Sequence, residues 1–222
     1  MQATVHDFAR LLDGDAALIV VGGTLLATLL RCGAGDALAA LCSLRALGRR
    51  RFRAETLRAE LAAHVQDMER DGVIRSEPST SGDAEFDEAT RALIGARTLG
   101  PLRAAHLAHK RRRGEQAMRA VRTFNQAADL APVLGLAGTL ISLAQLPVGG
   151  AQGGGDFTGA ISMAVLTTLY GLLLGNMIFA PLSRMVARRT AQEERARQEV
   201  YEWLEHHARS ALPRVLAAVP AP

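Results

Sequence analysis

The sequence predicts an all-α integral membrane protein with three transmembrane helices and a helical cytoplasmic domain. Three observations carry that reading. Apolar residues make up 49% of the 222-residue chain but aromatics only 4%, whereas a soluble core of this size normally holds more rings. The 26 Lys+Arg and 22 Asp+Glu lie outside three windows, Ala16–Leu30, Leu130–Leu146 and Phe157–Ser183, and no His falls in them either. Between the windows, apolar residues recur at three and four, with no alternating strand pattern.

Each element follows in order. Residues 1–15 are an external N-terminal segment with one Arg and three Asp, too acidic at the start for a cleaved signal peptide. The stretch "LLRCG" lacks the small residue a lipoprotein site needs, because Arg31 stands there. The first crossing, 16–30, is short for the roughly 20 residues that span about 30 Å, so it borrows flanks such as Leu11 and Leu12. Residues 31–128 form the cytoplasmic helical domain, with 18 Lys+Arg against 12 Asp+Glu. Within it, residues 36–70 read as helical through "DALAALCSLRAL" and "AETLRAELAAHVQDMERDG", with Gly72 as the stop, followed by a turn-rich loop at 75–83 and a helix from 84 that breaks near Gly100-Pro101.

The second crossing, 129–146, spans if Asp129 and Pro147 sit at the interfaces. An external hairpin, 147–156, contains no Lys or Arg, and 157–183 is the third crossing. Residues 184–222 carry a charged cytoplasmic helix ending before Pro213. The positive-inside rule then puts the N-terminus outside and the C-terminus in the cytoplasm. Cys32 and Cys42 lie on the cytoplasmic side, so no disulfide is expected.

Several function classes fall away. A pI near 9.8 suggests nucleic acid in a soluble protein, but these basic runs flank membrane segments and suit topology and membrane lipids, not nucleic acid. The patch "GGAQGGGD" lacks the Lys-Ser/Thr of a phosphate loop and reads as a flexible turn. His106, His109, His206 and His207 have no companions that complete a metal set and read as solvated. No Ser-His-Asp arrangement with local support is present, so no enzyme and no cofactor are expected.

The membrane segments carry the chemistry. Pro132 sits inside the second window and frees a backbone carbonyl, which is tolerated in lipid only where a neighbour or a wet path satisfies it. Pro132, Gly135, Thr139 and Ser142 are spaced three, four and three apart and share one face, with Gly138 beside them. In the third window Gly171 and Gly175 form a small-xxx-small pair for close helix packing, and Thr168 falls on the same side. The plainer reading is that these hydroxyls bond back to their own helix. Ion sites in membranes normally carry an ionisable group, and these windows hold no carboxylate. If the chain conducts, a partner supplies the acid.

With those residues in view, "LIVVGGTLLATLL", "ADLAPVLGLAGTLISL" and "ISMAVLTTLYGLLLGNMIFAPLSRMVARR" resemble the second, third and fourth crossings of MotA-type flagellar stator proteins, within the MotA/TolQ/ExbB superfamily. The element "AP-x-x-G-x-x-GT" is shared across the superfamily, while "LTTLYG" followed by "N-x-x-F-x-P" marks the stator branch. The resemblance implies a homo-oligomeric ring, a pentamer, around a MotB-type single-span partner whose membrane aspartate takes up the transported H+ or Na+. It implies Pro132 and Pro181 as coupling prolines, Thr139, Thr167 and Thr168 as hydroxyls of the ion path, and Asp129 and Tyr170 beside it. In "MERDGVIRSE", Arg70 and Glu77 match charged positions that face the flagellar rotor switch protein, although Asp71 stands where a second basic residue is usual. It also implies the bacterial inner membrane. The family's usual first crossing has no counterpart here, and three crossings with an outside N-terminus is the topology of the TolQ/ExbB branch. The rival readings are therefore a TolQ/ExbB-like energiser of an outer-envelope system and a non-conducting membrane scaffold.

Overall fold

The computed structural model describes residues 14–48, 52–71, 81–145 and 154–211, and the described residues are helical with no strand. α1, Gly14–Cys32, is the first helix long and apolar enough to cross a membrane, and contains one π turn at Leu18–Gly22. It is four residues longer than its uncharged window, taking in Gly14 and Asp15 at one end and Arg31 and Cys32 at the other, whereas Leu11 and Leu12 lie outside the described residues. It stops at Gly33, whose φ of 84° suits a residue without Cβ. α2 is Ala34–Gly48 and α3 is Ala54–Asp71.

α4, Ala84–Ala96, begins where the Asp83 carboxylate accepts the Glu85 N–H at 3.1 Å, an N-cap that satisfies an otherwise orphaned donor. It ends at Arg97, whose left-handed φ of 56° turns its N–H back to the Leu93 carbonyl. The expected break at Gly100-Pro101 thus falls earlier. Pro101 instead sits in the first turn of α5, Leu99–Ala144, where a missing N–H costs nothing.

Pro132 lies inside α5 without ending it. After α6, Gly154–Leu173, the chain passes through a π turn, Leu174–Phe179, into α7, Ala180–Ala211. Pro181 explains that turn. Its ring cannot bond the carbonyl four residues back, and the helix widens just before it, so that the Ala180 N–H reaches Gly175, five back.

These helices form two compact units. The first, within Met1–Gly48 and Gln116–Arg188, holds all three apolar windows. Where those windows give way to charge, it packs a small core of Ala40, Ala120, Phe124 and Val186, with Leu44 and Leu47 against it. The second unit, within Arg49–Glu115 and Arg189–Pro222, has a leucine-rich core of α3, α4, α5 and α7 that includes Leu61, Phe86, Leu93, Leu102 and Leu204, with Trp203 packed on it. Two stretches that the sequence separates, the middle segment and the tail, thus share one core.

Candidate functional site

α5 and α6 meet along a seam of small residues. A Cβ placed on Gly135 would stand 2.8 Å from the Thr167 carbonyl oxygen and 3.2 Å from Gly171 Cα. One on Gly171 would stand 2.6 Å from the Ala131 carbonyl oxygen, and one on Gly138 2.8 Å from Thr167 Cβ. These separations are shorter than carbon tolerates, so the two backbones touch and only glycine fits. In lipid no hydrophobic force draws helices together, and close backbone contact takes its place. Gly135, Gly138, Gly171 and Gly175 are all buried in the seam.

The seam also holds a freed carbonyl. Pro132 has no N–H, so Ala128 loses its ordinary helical partner. The Ala128 oxygen lies against Gly175, where a Cβ would approach it to 2.7 Å. Pro132 packs beside it, 3.1 Å from the same point. Proline on one helix and glycine on the other therefore set a carbonyl that lacks its usual helical donor against the neighbouring helix.

The hydroxyls take the plainer arrangement. Thr167 and Thr168 both donate to the Ala164 carbonyl, at 3.0 and 3.2 Å, Thr139 to Leu136 at 2.6 Å, and Ser142 to Thr139 at 2.9 Å. Each donor is spent on its own helix, which leaves oxygen lone pairs as the groups available to a passing cation or water. Thr167 and Ser142 are fully buried, whereas Thr168, Thr139 and Pro132 are half-buried. The face expected from spacing is thus graded: Gly135 and Ser142 at its centre, Pro132 and Thr139 at its rim.

Other expected residues fall around this seam. Tyr170 faces the first crossing, in an apolar groove with Ala17, Val21, Leu174 and Ile178. Asp129 is exposed at the charged end of the second window, and Pro181 is half-buried one turn past Met177. α1 joins through Gly23, where a Cβ would meet Leu134 Cδ1 at 3.0 Å. It brings two buried hydroxyls that sequence reasoning passed over, Thr24 and Thr28, bonded to the Val20 and Thr24 carbonyls. Their four-residue spacing was the available signal. Arg70 lies near the end of α3, but its side chain, and Glu77 altogether, are outside the described residues.

The second unit holds a site that the sequence hid. His106 is buried, not solvated: its Nδ1 lies 2.7 Å from Glu85 Oε1, its Nε2 3.1 Å from Gln198 Oε1, and its ring stacks on Tyr201. Arg113 pairs with both Glu85 and Glu194, and Arg197 reaches Glu85 at 3.0 Å and Asp83 at 2.8 Å. Burial alone would raise the Glu85 carboxyl. Hydrogen bonds from His106 and Arg113, with the charges of Arg113 and Arg197, outweigh it and hold the group at about 2 instead of 4.5. Burial, then a hydrogen bond with Glu205, pushes the Tyr201 phenol up to about 12. His109 is partly exposed and pairs with Glu88 at 2.8 Å.

The first unit is thus of the class of helical membrane proteins, with three helices long and apolar enough to cross a bilayer, a glycine seam between them, and hydroxyls but no carboxylate in the apolar windows. A profile of the MotA/TolQ/ExbB proton channel family matches residues 86–199, more than half of the sequence. The chain belongs to that family. Motility protein A of Cereibacter sphaeroides is 31% identical over 152 residues, which cover 66% of this chain and 58% of that protein. Chemotaxis protein PomA of Vibrio alginolyticus is 25% identical over 182 residues, 82% of this chain and 72% of that one. The fold is that of the flagellar MotAB stator complex from Bacillus subtilis, with a TM-score of 0.80 at 22% identity over 96% of this chain and 87% of that chain.

Proposed function

We propose that this chain is a stator subunit of a flagellar motor, forming with a MotB-type single-span partner a channel that couples H+ or Na+ flow to rotation. The observation that carries the reading is the seam itself. It offers oxygen atoms without a titrating acid, in a family of proton channels, to a site that needs one acid supplied from outside. That the similar proteins are named for motility favours a stator over an outer-envelope energiser.

In this reading several copies, five by the resemblance, surround the partner's helix in the bacterial inner membrane, N-termini periplasmic and C-termini cytoplasmic. The partner's aspartate binds the ion, and the oxygens of Thr139, Thr167, Thr168 and Ala128 replace part of the hydration shell the ion sheds. Neutralising that aspartate removes a charge from a low-dielectric seam and changes which packing of the helices is preferred. Pro132 and Pro181 sit where the helical ladder is already interrupted, so a small change in tilt there breaks no further backbone bond. In this reading Asp129 and Tyr170 border the path, and Arg70 and Glu77 are the charged positions assigned to the rotor contact.

The test is genetic and direct. Thr168→Val and Pro132→Leu should each leave the protein in the membrane at normal abundance and abolish ion-driven swimming. Normal swimming in both variants would overturn the ion-path assignment. Swimming speed against sodium concentration, in a strain carrying this stator alone, separates Na+ from H+.

A further inference from the structure

α2 immediately follows the first crossing and is apolar on both faces. Its sequence, AGDALAALCSLRALG, has only Asp36 and Arg45 charged. One face is accounted for: Ala40 is buried, and Leu44 and Leu47 pack with it against Ala120, Phe124 and Val186. The other presents Leu38 at 61% exposure and Leu41 at 60%, followed by exposed Cys42 and Arg45. A helix with apolar residues all round is normally buried all round. Here half of it is covered by protein.

The level at which α2 packs identifies the other cover. Phe124 lies six residues before the second window begins at Leu130, about 9 Å along a helix, and Val186 lies three residues past the third window's end at Ser183. Exposed Arg31 and Arg184 directly follow the first and third windows, and exposed Arg122 precedes the second by eight residues. This is where a bilayer of about 30 Å hydrocarbon gives way to headgroups. The exposed leucines of α1, Leu25, Leu26, Leu29 and Leu30, lead directly to it. α2 is held there by its own contacts, with the Arg119 guanidinium 3.9 Å from the Asp36 carboxylate and the Thr123 hydroxyl donating to the Asp36 carbonyl at 3.3 Å.

We infer that α2 lies in the membrane–water interface, its Leu38–Leu41–Cys42 face set into the acyl boundary and Arg45 on anionic lipid headgroups. The inference rests on the three windows crossing a bilayer and not on the stator reading. Its physical logic is that of an in-plane helix: Leu38, Leu41 and Cys42 enter the acyl boundary, and Arg45, on the same face, extends its long side chain back up to the headgroups, with affinity set by buried area and attraction to anionic lipid. Arg31 and Arg184 add positive charge at the window ends. Such a helix would fix the depth of the first crossing, whose uncharged window is the shortest of the three.

Cys42 provides the probe. With Cys32→Ala as background, a nitroxide is attached to Cys42 in the full chain, and the protein is reconstituted in vesicles of seven parts phosphatidylcholine to three parts phosphatidylglycerol. The same label on Glu202→Cys, an exposed site of the second unit, is the aqueous reference. The ratio of collisions with oxygen to collisions with a water-soluble nickel chelate should be about fivefold or more higher at Cys42 than at the reference. It should fall at least twofold with Arg45→Glu. A ratio equal to the reference means the face is in water and overturns the inference. Low collision rates with both quenchers mean that a second protein surface covers the face, and also overturn it. A check without substitution is peptide mapping of Cys42 in the unaltered chain after treatment with a membrane-impermeant maleimide. Modification in the vesicles should be at least tenfold slower than after solubilisation and unfolding, and equal rates overturn the inference.

Discussion

The two units solve the problem of holding helices together in opposite ways. In the first, α5 and α6 meet through glycine and threonine, with backbones in contact and hydroxyls bonded to their own helices. In the second, helices meet through leucine and phenylalanine, and a group of opposite charges is enclosed at the contact. The difference follows from solvent. In lipid, an apolar side chain gains nothing by turning inward, so close approach is what stabilises. In water, burying leucine stabilises, and a carboxylate such as Glu85 can be enclosed because two arginines and a histidine meet it.

Four experiments break or sharpen that contrast. The largest effect is expected at the seam. Gly171→Val places two extra carbons where even Cβ meets the Ala131 oxygen at 2.6 Å. We expect a cost of about 3 kcal/mol or more, read, under the proposed function, as loss of the assembled complex in size exclusion and loss of swimming. Wild-type assembly would mean the backbones do not touch.

Next comes the buried charge group. Glu85→Ala leaves Arg113, Arg197 and His106 without their shared anion in a site where the Glu85 side chain is 2% exposed. We expect about 3 kcal/mol of lost stability. Trp203, the only tryptophan of the chain, packs on the second unit's core and reports it by fluorescence on thermal unfolding. An unshifted midpoint would show the group to be dispensable.

The acid response of the same carboxylate is smaller at any one pH. Its folded value lies below its ordinary value, so its contribution is present above about pH 4.5 and is lost as pH falls toward about 2. The Trp203 midpoint should drop through that interval, and Glu85→Gln should flatten this part of the drop. The smallest effect is expected at the surface pair Arg111–Glu115, 2.8 Å apart with both side chains more than half exposed. Arg111→Ala should leave the midpoint unchanged, as solvent-screened pairs generally do.

The membrane half was the more legible in sequence. Absence of charge over a window is a one-dimensional property, and so is the three-and-four spacing of Pro132, Gly135, Thr139 and Ser142. Both survive folding, because a membrane helix must satisfy its backbone within itself. Where the hydroxyls point their hydrogens was not legible, since Ala164 and Leu136 carbonyls compete with anything across the seam. The second unit was less legible. Glu85, His106 and Arg197 are spread over more than 110 residues, and each alone looks like an ordinary surface residue of an amphipathic helix. The break at Arg97 was missed because a left-handed cap without glycine leaves no compositional mark.

The sequence alone thus determined the helical class, the three crossings, the small-residue face and the lack of a resident acid, because bilayer thickness and helical period act on neighbours along the chain. Tertiary structure alone decided which glycine meets which carbonyl, that the middle and the tail share a core, and that Glu85 sits among cations. Those depend on pairs far apart in the chain, whose contacts are set by packing once the helices have come together.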